Sequence, residues 1–127
     1  MLPNFILSET TVNDKGSGEP LALGDAAGKT LVLTLGITDI VEQQSLDVAI
    51  LGSEDGENWG EKPVRVFPQK FYRGVYSLLL DLSPHPGVKY LRADWKTERW
   101  GVGSLTPMFR FYLFAETLEQ SAARKTA

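Results

Sequence analysis

Few residues of this chain could do covalent chemistry. The single histidine, His85, stands in Ser83-Pro84-His85-Pro86-Gly87, and there is no cysteine. A multi-imidazole metal site or a serine triad needs partners that one turn histidine lacks, and no Gly-x-Ser-x-Gly elbow occurs. Without cysteine, disulfides and thiolate metal centres are excluded. Paired carboxylates could hydrolyse glycosides, and Asp81 and Asp94 are the acids set in the most apolar sequence. Both read instead as sheet-surface groups paired with Arg92, Lys96 or Arg110 on neighbouring strands. Calcium would need oxygen ligands such as Asn13-Asp14 with Glu19, or Asp55 with Glu57 and Asn58. Neither spacing forms a dedicated loop, and turn formation accounts for both clusters. Gly101 and Gly103 lack the strand-then-helix setting of a phosphate loop. The expectation is no enzyme, no catalytic residue, no metal and no cofactor.

Binding chemistry is better represented. Trp100 beside Arg99 in Thr97-Glu98-Arg99-Trp100-Gly101 is a candidate for stacking a sugar ring or anchoring a partner, the alternative being a lid on the open end of the fold. Tyr72 and Tyr76 are candidates for the same contact, because interfaces enrich Tyr, Trp and Arg.

These residues must be positioned by strands. Apolar segments of about 5 to 10 residues recur between Gly, Pro, Asp and Asn clusters, the pattern of an all-β sandwich. Strands are predicted over Phe5 to Val12, Thr30 to Thr38, Leu46 to Leu51, Tyr76 to Leu82, Val88 to Lys96 and Met108 to Ala115. Short pieces are expected at Leu21 to Leu23 and, between prolines, Pro63 to Phe67. Asn13 to Pro20 reads as a flexible turn and Ile40 to Ser45 as a polar connection. Alternation places Leu31, Leu33, Leu35, Val48, Ile50, Leu80, Leu91, Trp95, Phe109 and Phe111 in the core. The predicted architecture is an antiparallel β-sandwich of jelly-roll type with about eight strands, over residues 1–116. Residues 117–127 contain one large apolar residue, Leu118, and read as a polar, mobile tail.

The most explicit local signal is Ser53-Glu54-Asp55-Gly56-Glu57-Asn58-Trp59. Asp55 is placed to accept from its own downstream amides, Gly56 to supply a positive φ, and Trp59 to return over the core.

Thirteen basic against sixteen acidic residues give a net charge of -3 with no basic patch, so neither nucleic acid nor an anionic membrane is an expected partner. No apolar run approaches the ~18 residues of a membrane span. The N-terminus, Met1-Leu2-Pro3-Asn4-Phe5-Ile6-Leu7, lacks the basic start of a secretory signal, which gives a cytoplasmic expectation.

Ser53-x-Asp55-Gly56-x-x-Trp59, followed by Tyr90-Leu91-Arg92-Ala93, resembles the second half of discoidin-type, galactose-binding-like β-sandwiches. That resemblance covers roughly residues 46–96. It implies that Ser53, Asp55, Gly56 and Trp59 form a structural corner, with ligands held elsewhere. The order of a leading strand and turn, a Leu-rich strand, this hairpin and a Tyr-x-Arg-Ala strand is also similar to small structural proteins of bacteriophages and prophages, which implies a virion-associated setting. The functional expectation is a self-associating structural or assembly subunit, a homo-oligomer. The alternative is a carbohydrate-binding module.

Overall fold

The computed structural model describes residues 2–12, 15–40, 44–59, 63–70, 73–99 and 109–126. Among these residues nine strands and one α-helix follow in order: β1 (Asn4–Val12), β2 (Gly16–Ser17), β3 (Leu21–Ala22), β4 (Thr30–Ile40), β5 (Gln44–Ser53), β6 (Arg65–Val66), β7 (Gly74–Asp81), β8 (Tyr90–Arg99), β9 (Phe109–Thr117) and α1 (Leu118–Thr126). One antiparallel sheet has the order β1-β9-β4-β7; the other has β2-β8-β5-β6, with β3 also on β8.

This order is that of one long hairpin rolled up. Its halves pair as β1 with β9, β2 and β3 with β8, β4 with β7, and β5 with β6. Rolling then brings β4 beside β9 and β5 beside β8, which splits the ribbon into two facing sheets, the jelly-roll arrangement. The strand count is nine rather than eight because one edge position is interrupted. Gly16–Ser17 and Leu21–Ala22 both pair with β8, separated by Gly18-Glu19-Pro20.

The core follows the alternation. Leu31, Leu33 and Leu35 of β4, Val48 and Ile50 of β5, Leu80 of β7, Leu91 and Ala93 of β8, and Phe109, Phe111 and Leu113 of β9 are buried in one cluster between the sheets. Trp95 is only half-buried and packs edge-on to Phe111, ring centroids 6.0 Å apart. It closes one margin of the core instead of filling its centre.

Three local expectations are corrected. The segment read as a flexible turn contains β2, held because Gly16 lies under the Trp95 indole, where a Cβ would come within 2.8 Å of the ring. The connection read as Ile40 to Ser45 is shorter, since β4 runs to Ile40 and β5 starts at Gln44. Finally, the C-terminal segment read as a tail is helix α1. Thr117 and Gln120 form a reciprocal cap: the Gln120 N–H donates to Thr117 Oγ1 (3.1 Å), and the Thr117 N–H donates to Gln120 Oε1 (2.9 Å). Gln120 Nε2 also donates to the Leu2 carbonyl at 2.9 Å, and Ser121 is buried. Polar anchoring holds this helix, while its one large apolar residue, Leu118, stays 46% exposed.

Candidate functional site

Two regions carry the arrangements with functional content. The first is the corner after β5. Asp55 Oδ1 accepts from the Glu57 and Asn58 amides, both at 2.8 Å, and from Ser53 Oγ at 2.9 Å, while Oδ2 accepts from Asn58 Nδ2 at 2.7 Å. These donors, led by the Asn58 and Glu57 amides, hold the Asp55 carboxyl well below the usual carboxylate range. Ser53 Oγ in turn accepts from the Asp55 and Gly56 amides. Gly56 has φ 78°, and a Cβ there would sit 3.5 Å from the Tyr90 ring. Trp59 does not cover the core. It is half-buried on the outside of the sheet, with the Arg92 guanidinium 4.8 Å from its ring centroid and Arg92 bound to Asp94 at 2.8 Å. The strand Tyr90-x-Arg92-x-Asp94 therefore serves the hairpin twice, by Tyr90 against Gly56 and by Arg92 against Trp59. The oxygens of Asp55 are engaged in closing the turn, so the corner is a structural knot.

The second region is the free edge of β7. A sheet edge exposes unpaired backbone groups that invite another strand unless something blunts it. Among the described residues three of the four edges are blunted. β1 is broken by register shifts between Phe5 and Leu7 and between Leu7 and Thr10. β6 is two residues long, between Pro63 and Pro68, and β2 with β3 is interrupted. In contrast β7, Gly-Val-Tyr-Ser-Leu-Leu-Leu-Asp, has no proline or lysine and pairs with β4 in unbroken register from Thr30 opposite Asp81 to Ile37 opposite Gly74. Among the described residues no strand pairs with its other side. Val75 and Leu79 on its outer face are 67% and 55% exposed.

A shallow groove of about 440 Å³ crosses the outer face of the same sheet, lined by Phe5, Ser8, Glu9, Thr34, Tyr112 and Phe114. Its floor is the Tyr112 ring, which lies over Gly36; a Cβ on Gly36 would be 2.2 Å from Cε2 and Cζ. Phe5 stands at 84° to Tyr112, ring centroids 5.9 Å apart.

Of the four contact residues proposed from sequence, Tyr76 is the one whose side chain is described. Tyr72 and Trp100 lie outside the described residues, as does the side chain of Arg99 at the end of β8. Tyr76, expected to be exposed, turns inward and packs against the core, with Lys70 Nζ 3.9 Å from its ring centroid. The parity of β7 explains this, because Tyr76 shares a face with buried Leu80. The other candidates have structural partners. Asp94 binds Arg92, but two residues away on the same strand β8 and not across to a neighbouring strand as expected. Asp81 accepts from the Ser83 amide at 2.9 Å and from Thr30 Oγ1 at 3.3 Å, so it closes a turn and not a cross-strand ion pair with Arg92, Lys96 or Arg110. Its carboxyl is held below the ordinary range, chiefly by the Ser83 amide. His85 is exposed, and its backbone closes the turn between Leu82 and Val88. No group of three or more His, Asp or Glu suited to a metal occurs among the described residues. Likewise no helix among them is long and apolar enough to cross a membrane.

Fold and surface together define the class: an antiparallel jelly-roll sandwich with a closed polar corner and, among the described residues, one open sheet edge. No family model matches the chain, and no curated protein matches it significantly.

Proposed function

We propose that this protein is a non-enzymatic, self-associating structural or assembly subunit. The observation that carries this reading is the β7 edge, which among the described residues is open and apolar where the other three sheet edges are blunted. A continuous edge of this kind adds a strand readily, and closed two-fold pairing with a second copy would cover it. The similarity of layout to small phage structural proteins supports the same reading. Sedimentation velocity across the micromolar range tests it. The expected result is a dimer or larger species that dissociates on dilution and is lost in Leu79→Lys, which places a charge on that edge. A strictly monomeric wild-type protein overturns the reading.

A second reading, saccharide binding, is favoured by the groove on the outer face, where a flat Tyr112 ring adjoins Ser8, Glu9 and Thr34. Aromatic faces take the apolar side of a sugar ring, and such polar neighbours can bond its hydroxyls. A glycan array with wild type and Tyr112→Ala tests it, and a hit lost in the variant would favour this class over assembly.

A further inference from the structure

Resting on the self-association reading, the geometry points to one specific mode: two copies pair antiparallel through β7 about a two-fold axis at Ser77. The argument begins with parity. The Leu82 N–H donates to the Lys29 carbonyl, so residues of even number on this run bond toward β4. The Leu79 carbonyl points the other way and accepts from Arg65 Nε at 3.1 Å. In an antiparallel strand the N–H and C=O of one residue share a direction and alternate along the chain. Hence Val75, Ser77, Leu79 and Asp81 present their backbone groups to the open edge.

A second β7 can satisfy those groups only by setting odd residues opposite odd residues. With Ser77 opposite Ser77 of the other copy, Val75 falls opposite Leu79 and Arg73 opposite Asp81, each twice. The outer-face residues Val75, Ser77, Leu79 and Asp81, with the exposed Arg73 immediately before the strand, thus form a series complementary to its own reverse. Opposite charges meet at both ends, apolar residues meet inside them, and a hydroxyl meets its copy at the centre. All five residues are exposed. Shifting the pairing by one repeat in either direction leaves apolar residues opposite charges, Leu79 facing Arg73 or Val75 facing Asp81. The product is a continuous eight-stranded sheet, twice the four strands of β1-β9-β4-β7. In this arrangement Arg65 is a competitor. Its bond to the Leu79 carbonyl occupies an acceptor that the Val75 N–H of the second copy would use, so Arg65 limits pairing in the free protein.

The absence of cysteine from the sequence makes the test clean. Opposed residues in a hydrogen-bonded antiparallel pair have Cα atoms about 5.5 Å apart. Ser77→Cys is therefore expected to give a covalent dimer with a short thiol crosslinker, and Ser17→Cys, on exposed β2, is not. Arg73→Glu and Asp81→Lys should each weaken association alone, and mixing the two variants should restore it as a heterodimer. Arg65→Ala should tighten association about fivefold for each of the two hydrogen bonds it frees in the symmetric dimer, about 25-fold in all. Melting temperatures of all variants separate lost association from lost folding. Absence of any dimer in wild type overturns self-association itself. A dimer that crosslinks no better through Ser77→Cys than through Ser17→Cys, or that the mixed charge variants fail to restore, overturns this pairing while leaving self-association standing. Weaker association in Arg65→Ala overturns the competitor role.

Discussion

The corner at Ser53 to Trp59 and the edge strand β7 are both exposed hairpin-level features, yet they deal with their polar groups in opposite ways. In the corner, Asp55 and Ser53 receive amide donors from four consecutive residues, Asp55 to Asn58, so these hydrogen bonds need no partner distant in sequence. Along β7, half of the backbone groups face away from β4, and among the described residues the Arg65 side chain donates to one of them, the Leu79 carbonyl. Local closure yields a structural element, and an open ladder yields a surface with capacity for a partner. Function in this molecule is to be sought where hydrogen bonding is incomplete, not where the motif is most legible.

The comparison can be broken at several depths. The largest effect should come from the core that supports both regions. Leu33 is fully buried, and its register partner on β7 is Leu78, so Leu33→Ala should cost about 2–5 kcal/mol in denaturant unfolding. It should lower the stability of corner and edge together if the domain unfolds in one transition.

A smaller effect, confined to the corner, is expected at Gly56. Valine there must hold a left-handed conformation beneath Tyr90, a loss of about 1–2 kcal/mol from the backbone alone. Exposed Glu57→Val should change stability by less than about 0.5 kcal/mol. Equal melting temperatures for the two variants would remove the distinction between a strained corner and an ordinary loop.

The corner should also respond to acid in a way the edge does not. The Asp55 carboxyl is held below its unfolded value of about 4, so its stabilising contribution is present above that pH. It is lost progressively as pH falls toward the folded value. Asp55→Asn should therefore melt below wild type at neutral pH, and the gap should narrow as the pH is taken below about 4. A gap that stays constant with pH would show that the carboxylate charge does not close the turn.

The smallest effect on folding, and the sharpest on the comparison, belongs to Leu79→Lys. Leu79 is more than half exposed, so the monomer should change by only about 0.5 kcal/mol or less, while self-association is abolished. A large loss of monomer stability would mean that the edge is already covered within one chain.

Much of this was readable from residues because the physics is local. Period-two alternation in Leu31-Val32-Leu33-Thr34-Leu35 has one solution on a pleated strand, and it predicts which side is buried. Asp55-Gly56 names its own turn, and Thr117-x-x-Gln120 carries a capping-box signature that the apolar count around Leu118 obscured. Trp59, Trp95 and Tyr76 resisted local reasoning. An aromatic residue after a turn or on a strand can meet the core, the margin or a cation, and the choice depends on strands distant in sequence: Arg92 for Trp59, β2 and Phe111 for Trp95, Lys70 for Tyr76.

The sequence by itself determined the all-β class, the side of each long strand that is buried, and the corner, since each depends on neighbours within a few residues. Only the tertiary structure decided which strands became edges, that among the described residues three edges are blunted while β7 is open, and which backbone groups of β7 face outward. Those properties arise from pairing between segments far apart in the chain, whose register no local pattern encodes.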